Sequence, residues 1–192
     1  MSLTLVTGVP GSLGTRFLHS LIYGLPDLPP GVMPVRNRRI RCLVKPGTTM
    51  LPLRDMVDNI EFLEGDLRNA DAVRAFCKNA AGATLFHCAG VIHPTRGVRE
   101  FFDTNVEGTR RLLQAAEEAH VRRVVVVSSN SPMGANPHRS HLFDEGSPYH
   151  PYMGYGRSKM LMELVVQEYQ ARGKLETVII RPPWFYGPDQ PP

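Results

Sequence analysis

Long apolar runs are missing from this 192-residue sequence, and none approaches the roughly 20 residues that a membrane-spanning helix needs. The N-terminus also lacks the order of basic, apolar and small residues that marks a signal peptide. These absences argue against a membrane-spanning or secreted protein, so we expect a cytoplasmic protein without a membrane span. The 42% apolar content is ordinary for a globular chain and predicts one domain over residues 1–192.

Cysteine is scarce as well, since the chain contains only Cys42, Cys77 and Cys88, and no two of them are close in sequence. This spacing excludes a C-x-x-C redox or metal motif, gives no disulfide framework, and favours buried, inert thiols at Cys42 and Cys88. The seven histidines show no helical two-ligand spacing joined to a third ligand. We therefore predict no metal site.

Acidic residues are slightly outnumbered by basic ones, which gives a net charge of +4. The arginines cluster in the stretch VRNRRIR, residues 35–41, and in two adjacent pairs further along the chain. We interpret these clusters as a solvated surface in preference to an anion-binding patch, and we predict no nucleic-acid partner.

Short apolar runs alternate with longer helical patterns, and this rhythm predicts repeated βαβ units. Runs such as RVVVVSS and TVIIRP are continuously apolar, which predicts strands buried on both faces of a parallel sheet. The sequence therefore predicts an α/β fold with a doubly wound parallel sheet. The predicted strands are Leu3–Val6, Ile40–Val44, Ile60–Leu63, Thr84–Cys88, Val124–Val127 and Thr177–Ile180.

Four helices are predicted between these strands, at Gly11–Leu21, Asn69–Asn79, Val98–His120 and Gly154–Arg172. Asn69 is a candidate N-cap, and Gly173 follows the last helix. Residues 23–39 contain four prolines, which predicts an extended loop between the first helix and the second strand.

The stretch TGVPGSLG, residues 7–14, places three glycines where the first strand is expected to turn into a helix. A helix N-terminus at that point presents free N–H groups to an anion such as phosphate. In a dinucleotide site, Gly8 would allow the tight turn, Gly11 the approach of a pyrophosphate, and Gly14 close packing of helix and strand. A glycine-rich turn without a ligand is the alternative. No Gly-Lys-Ser/Thr follows, which argues against a P-loop nucleotide hydrolase.

A second candidate motif lies in YMGYGRSKMLMEL, where Tyr155 and Lys159 are four residues apart on one face of a predicted helix. A nearby ammonium would lower the phenol pKa and make Tyr155 a proton donor or acceptor near neutral pH. Ser128 and Ser129 end a predicted buried strand, and the carboxyl ends of such strands form the edge where open α/β sheets bind ligands. An exposed helix with an isolated tyrosine is the alternative.

These elements, in this order, resemble the extended short-chain dehydrogenase/reductase family, which includes NAD(P)-dependent epimerases, dehydratases and 3β-hydroxysteroid dehydrogenases. The resemblance runs from Leu3 to about Pro188 and implies a Rossmann-type fold. It is carried by TGVPGSLG for T-G-x-x-G-x-x-G, EGDLRN for G-D-L, HCAGV for H-x-A-A/G, DTNVEGT for N-V-x-G-T, VVVVSSNSPMG for the serine strand, YGRSK for Y-x-x-x-K, and RPPWFYGP for R-P-x-x-x-Y-G-P.

The resemblance implies a role for each matching residue. Tyr155 would be the general acid/base, Lys159 would bind the nicotinamide ribose, and Ser129 would hydrogen-bond the substrate oxygen. The implied cofactor-binding residues are Gly8, Gly11, Ser12, Leu13, Gly14, Lys45, Asp66, Leu67, Ala89, Gly90, Tyr155, Lys159 and Pro182. Asn105 would support this region as a structural amide and would not take part in the chemistry.

The implied reaction is hydride transfer between a secondary alcohol or ketone and NAD or NADP. NADP is favoured because Lys45, and no acidic residue, follows the second strand. Epimerisation of a nucleotide sugar and dehydrogenation of a steroid or another apolar alcohol both remain open. Sugar-nucleotide dehydration is disfavoured, because Asn130 and Ser131 stand where dehydratases of the family carry Asp-Glu. A non-catalytic dinucleotide-binding regulator or scaffold is the alternative of another class.

Two expectations concern the whole molecule. Family members generally exceed 300 residues, so the resemblance implies that most of a C-terminal substrate-binding part is absent and that this piece alone exposes apolar surface. A homodimer is an open alternative to a monomer.

Overall fold

The computed structural model describes residues 3–24, 39–56 and 60–184. Most of the predicted proline-rich loop and the end of the R-P-x-x-x-Y-G-P match lie outside these residues. Among the described residues, no helix combines the length and the apolar character that crossing a membrane would need.

Six parallel strands form one sheet in the order β3-β2-β1-β4-β5-β6, which confirms the predicted α/β class. The chain first moves outward from β1 through β2 to β3, and then crosses back to β4 on the other side of β1. The strand order therefore reverses between β1 and β4, where doubly wound sheets open a ligand crevice. The strands are β1 Leu3–Val9, β2 Arg39–Val44, β3 Ile60–Glu64, β4 Thr84–His87, β5 Arg123–Val127 and β6 Glu176–Ile180.

Helices lie on both faces of the sheet and cover two apolar clusters. The smaller cluster packs around Val6, Leu18 and Cys42, on the face that carries helix α1. The larger one packs around Leu85, Leu113 and the residues of helices α2, α4 and α5. The helices are α1 Ser12–Tyr23, α2 Ala70–Cys77, α3 Arg99–Phe101, α4 Glu107–Glu118 and α5 Met153–Ala171, with short 3-10 turns at Leu51–Met56 and Ser131–Met133.

Strand β6 corrects one prediction. The run TVIIRP was expected to be buried on both faces, but Val178 is 40% exposed and Ile180 is 47% exposed. The reason is position: β6 ends the described strand order, and its burial alternates along the strand. Strand β5, which lies between two neighbours, is buried through Val124, Val125 and Val126 as predicted.

The predicted long helix Val98–His120 is interrupted. One α-helical turn, α3, is followed by a π-helical turn at Phe102–Val106 and then by α4. The Asn105 side chain bonds to the backbone of Val91, and the Thr109 hydroxyl donates to the Asn105 carbonyl at 2.7 Å. These contacts stabilise the π-helical turn. The apolar periodicity of the sequence predicts a helix here but does not indicate such a turn.

Arg41 ends the arginine cluster that was interpreted as solvated surface, but its side chain is buried. Its Nη1 donates to the carbonyls of Phe76 at 2.9 Å and Lys78 at 2.7 Å, and its Nε donates to Glu61 at 2.9 Å. The guanidinium therefore satisfies carbonyls at the C-terminal end of α2, where a helix favours a cation.

Asn69 is the N-cap of α2, as predicted. Its Oδ1 accepts hydrogen bonds from the backbone N–H of Asp71 at 2.9 Å and of Ala72 at 3.3 Å. These bonds satisfy two N–H groups that have no partner inside the helix.

Replacing Asn69 with alanine should lower the free energy of unfolding by about 1 kcal/mol, because both helix N–H groups lose their acceptor. Asn69→Asp retains an acceptor and serves as the matched control, which should unfold close to the wild type. Chemical denaturation of the three proteins measures the difference. Equal stability of the alanine variant and the wild type would contradict the capping role.

Candidate active site

The glycine turn joins β1 to α1 at the crevice between β1 and β4. Gly8 has φ +91°, and a Cβ there would lie 2.5 Å from the Ala89 nitrogen. A Cβ on Gly14 would lie 2.3 Å from the Gly8 carbonyl oxygen, so only glycine lets α1 pack this closely on the turn. Ser12 and Leu13 form the first turn of α1.

The N-terminus of α1 has the character of an anion site. Its N-cap is Gly11, which provides no side-chain cap, and its first turn contains no acidic residue. The free N–H groups and the positive end of the helix dipole thus meet no negative side chain of their own helix. A Cβ at Gly11 would lie 2.9 Å from the Gly8 oxygen and would fill the turn that a pyrophosphate has to approach.

Lys159 lies on α5 and extends its side chain to the end of β5. It is 4% exposed, and its Nζ donates to the Val127 carbonyl at 2.9 Å. A Cβ on Gly90 would lie 3.3 Å from this Nζ, so the segment after β4 passes directly beside the ammonium. Burial lowers the pKa of Lys159 from 10.5 to about 8, and the nearby Glu163 carboxylate opposes that shift.

The pKa of Tyr155 differs in direction from the sequence-based expectation. Burial raises the pKa of the Tyr155 phenol above its ordinary value of 10, and a hydrogen bond with Ser129 offsets only part of this rise. The Lys159 ammonium is directed at the Val127 carbonyl, so the expected lowering by lysine is absent from this arrangement.

The serines after β5 divide into two environments. The Ser128 hydroxyl is buried and donates to the carboxylate of Glu163. The Ser129 hydroxyl bonds to the Ser131 hydroxyl at 2.9 Å and accepts from the Ser131 N–H at 3.1 Å. It also lies close enough to the Tyr155 phenol to lower the pKa of that group. The structure therefore brings Ser129, and not Ser128, together with Tyr155.

Asn105 and His87 are buried polar side chains next to the crevice. Asn105 accepts from the Val91 N–H at 2.7 Å and donates to the Val91 carbonyl and to Ser158 Oγ, each at 3.0 Å. His87 bonds to the hydroxyls of Thr7 at 2.7 Å and Thr109 at 2.8 Å. Burial lowers the pKa of His87 to about 3, so the ring is neutral at physiological pH. Both side chains are engaged in structural hydrogen bonds.

The residues predicted to bind the adenosine half lie at the ends of β2 and β3. The Asp66 carboxylate accepts from the Arg68 backbone N–H at 2.9 Å and from its guanidinium at 3.0 and 2.7 Å, which lowers the pKa of Asp66. The exposed Lys45 adds a smaller effect in the same direction. Leu67 packs into the larger core cluster.

A buried polar cluster behind the site was missed by sequence reasoning. Glu163 is fully buried on α5 and is bound by Ser128, Tyr149 and Arg181. One signal was available, because Glu163 follows Lys159 by four residues and shares its helix face. Pro182, a predicted cofactor residue, accepts a hydrogen bond from the Asn130 N–H at 3.1 Å next to this cluster.

The sequence model of the NAD dependent epimerase/dehydratase family matches residues 4–192. The chain belongs to this family. The predicted resemblance to epimerases and dehydratases of the short-chain dehydrogenase type is thereby confirmed.

Two relatives match nearly the whole chain. The chain is 50% identical over 190 residues to the uncharacterized protein y4nL of Sinorhizobium fredii, covering 98% of this chain and 52% of that protein. It is 33% identical over 187 residues to sterol demethylase protein B of Methylococcus capsulatus, covering 96% of this chain and 52% of that protein. The chain thus spans about half the length of these curated relatives.

Solved epimerase/dehydratase structures share the fold. The dTDP-glucose 4,6-dehydratase DesIV of Streptomyces venezuelae, solved with NAD and TYD bound, superposes with a TM-score of 0.78 at 30% identity. The match covers 93% of this chain and 55% of that one. The sheet and helices described above are therefore those of a known enzyme fold.

Lys159→Met should unfold at a higher denaturant concentration than the wild type at neutral pH, because it removes a buried charge from a site whose Glu163 retains Arg181. The pKa of Lys159 is lower in the folded than in the unfolded protein, so burying its protonated form lowers the free energy of unfolding at pH values below about 8. This cost becomes smaller as pH rises, because the folded protein releases the proton first. The advantage of the variant should thus shrink by about 1 kcal/mol between pH 8 and 9.

Paired denaturation curves at pH 7, 8 and 9 measure this difference in the free energy of unfolding. The control is Lys174→Met at an exposed position after α5, which should show no such pH dependence. A Lys159→Met advantage that grows with pH would contradict the assigned sign.

Proposed function

We propose that this protein is an NAD(P)-dependent oxidoreductase or epimerase that transfers a hydride at a secondary alcohol or ketone. The observation that supports this most is the meeting of Ser129, Tyr155 and Lys159 at the same sheet edge as the uncapped glycine turn. Family membership adds support, and the structural relative DesIV was solved with NAD.

The glycine turn fits a pyrophosphate, since Gly8, Gly11 and Gly14 leave no side chain between the backbone and the crevice. Ser12 and Leu13 would present their N–H groups to the phosphates. Lys45, Asp66 and Leu67 would bind the adenosine half, and Ala89, Gly90 and Pro182 would lie along the nicotinamide half. When bound, the nicotinamide would exchange the hydride with the carbinol carbon.

Tyr155 would take the hydroxyl proton from an alcohol or return it to a ketone. Ser129 would donate a hydrogen bond to the same oxygen and stabilise its developing negative charge. Lys159 would hold the nicotinamide ribose and, with its ammonium turned toward the phenol, favour the phenolate. Such a turn requires Lys159 to exchange its present bond to Val127 for contacts in the loaded site.

The names of two relatives point to the two substrate classes considered above. UDP-glucose 4-epimerase of Mycolicibacterium smegmatis is 30% identical over 198 residues, and sterol demethylase protein B is 33% identical over 187 residues. Nucleotide sugars and apolar alcohols such as steroids are therefore the two classes to screen. No observation favours the non-catalytic alternative. The cytoplasmic location and the homodimer stay predictions.

We further propose that NADP is preferred, because Lys45 is exposed after β2 and an ammonium there would attract the ribose 2′-phosphate. Lys45→Asp should weaken NADPH binding roughly tenfold or more and leave NADH binding close to its original value. Parallel fluorescence titrations with NADPH and NADH measure both affinities. The control is Lys174→Asp, far along the chain, which should change neither.

A wild type that binds NADH more tightly than NADPH would overturn the cofactor preference alone. Failure to bind either dinucleotide would overturn the proposed function.

Replacing Tyr155 with phenylalanine should leave cofactor affinity within about twofold of the wild type but reduce turnover by roughly 10²–10⁴-fold, since only the proton-transferring hydroxyl is lost. With a sterol, turnover of the whole protein is measured by nicotinamide absorbance; with a nucleotide sugar, where epimerisation regenerates the cofactor, it is measured by the amount of epimer formed. Tyr23→Phe is the matched control, because Tyr23 is 56% exposed at the C-terminal end of α1 and takes no part in the reacting set or in the contacts of Glu163. Equal turnover in Tyr155→Phe and the wild type would contradict the acid/base role.

A further inference from the structure

Glu163 joins three parts of the protein at one carboxylate. From α5, its Oε1 accepts from the Ser128 hydroxyl after β5, and its Oε2 accepts from the Tyr149 hydroxyl at 2.8 Å. The Arg181 guanidinium after β6 donates to the same carboxylate, from Nε at 3.0 Å and from Nη2 at 2.7 Å. Glu163 is 0% exposed, so solvent replaces none of these partners.

The backbone on either side of Ser129 is held by the backbone on either side of Arg181. The Ser128 N–H donates to the Ile180 carbonyl at 2.7 Å, and the Asn130 N–H donates to the Pro182 carbonyl at 3.1 Å. Ser129 lies between the two donors, Ser128 and Asn130, and Arg181 lies between the two acceptors, Ile180 and Pro182. A displacement of Arg181 would therefore displace Ser129. The Glu163 carboxylate is what fixes Arg181 to α5.

The same carboxylate lies one helical turn from Lys159. The charged and titratable groups around the ammonium are Glu163 and Tyr155 on α5 and His87 and Cys88 at the end of β4. The pKa of His87 is lowered to about 3 and the pKa of Cys88 is raised to about 11, so both are neutral near pH 7. Glu163 is then the opposite charge that favours the ammonium form.

A buried ion pair is weak evidence for stability, because desolvation of both charges offsets their attraction. The cost of burying Glu163 and Arg181 therefore calls for another explanation. Their contacts supply one, since they converge on the residues that flank the proposed reacting set.

We propose that Glu163 is a positioning residue, which through Ser128, Arg181 and Tyr149 fixes the ends of β5 and β6 against α5 and so holds Ser129, Tyr155 and Lys159 in register. This inference rests on the proposed function, because that function makes Ser129, Tyr155 and Lys159 the reacting set. Its test requires neither cofactor nor substrate. Glu163 itself touches none of the reacting atoms.

The first experiment follows Lys159 directly by NMR of protein labelled at lysine ¹³Cε. The sequence contains four lysines, so Lys→Arg changes at Lys45, Lys78 and Lys174 assign every signal. In Glu163→Gln the titration midpoint of Lys159 should fall by roughly one pH unit, because the opposite charge is lost. Glu168→Gln, which removes an exposed partner of Arg110 on the same helix, should leave the midpoint unchanged.

The direction of the shift separates this effect from loss of structure. Unfolding would move the Lys159 midpoint upward toward the ordinary lysine value of about 10.4, whereas loss of the Glu163 charge moves it downward. An unchanged midpoint in a folded Glu163→Gln protein would show that Glu163 does not act on Lys159 and would overturn the proposal.

The second experiment tests position with the charges intact, and it decides the proposal where Glu163→Gln does not fold. Ser128→Ala removes one contact to Glu163, which should loosen Ser129 and weaken its lowering effect on the pKa of Tyr155. The pKa of Tyr155, followed by tyrosine ¹³Cζ signals, should then rise toward its value in Ser129→Ala. The control is Ser140→Ala in an exposed loop.

A Tyr155 titration that is identical in Ser128→Ala and the wild type would sink the positioning role. If both titrations behave as expected while neither dinucleotide binds, the positioning inference stands and the proposed function fails.

Discussion

The buried ammonium of Lys159 is the constraint that organises the carboxyl edge of this sheet. A charge that water does not reach needs a compensating partner, and the Val127 carbonyl and the Glu163 carboxylate provide compensation from two sides. The carboxylate is itself buried, so it requires the Arg181 guanidinium. One buried cation thus leads to contacts that join α5 to the ends of β5 and β6.

The turn between β1 and α1 depends on glycines, because it has no room for a Cβ atom. The Gly8 carbonyl lies so close to Gly14 that a single Cβ would collide with it, and this contact sets α1 directly on the end of β1. The uncapped helix N-terminus and the buried ammonium consequently face one crevice, because every strand of the sheet runs in the same direction.

Two further buried polar side chains fix the arrangement of this region. His87 is neutral and bonds to two threonine hydroxyls, and the Asn105 amide forms hydrogen bonds with Val91 and Ser158. Each buried polar group has its desolvation offset by hydrogen bonds. The π-helical turn at Phe102–Val106 belongs to the same pattern, since it presents Asn105 to the segment after β4.

The sequence by itself determined the βαβ order, the parallel sheet, the Asn69 cap and the family, because apolar patterning, glycine placement and helix caps are local properties. Only the tertiary structure decided the direction of the Tyr155 pKa, the exposure of β6 and the break in the helix after Val98. Those features depend on burial and on partners distant in sequence, as when Glu163 meets Ser128 and Arg181. A spacing of four residues placed Tyr155 and Lys159 on one helix face, but desolvation and the Val127 carbonyl set their charge and orientation.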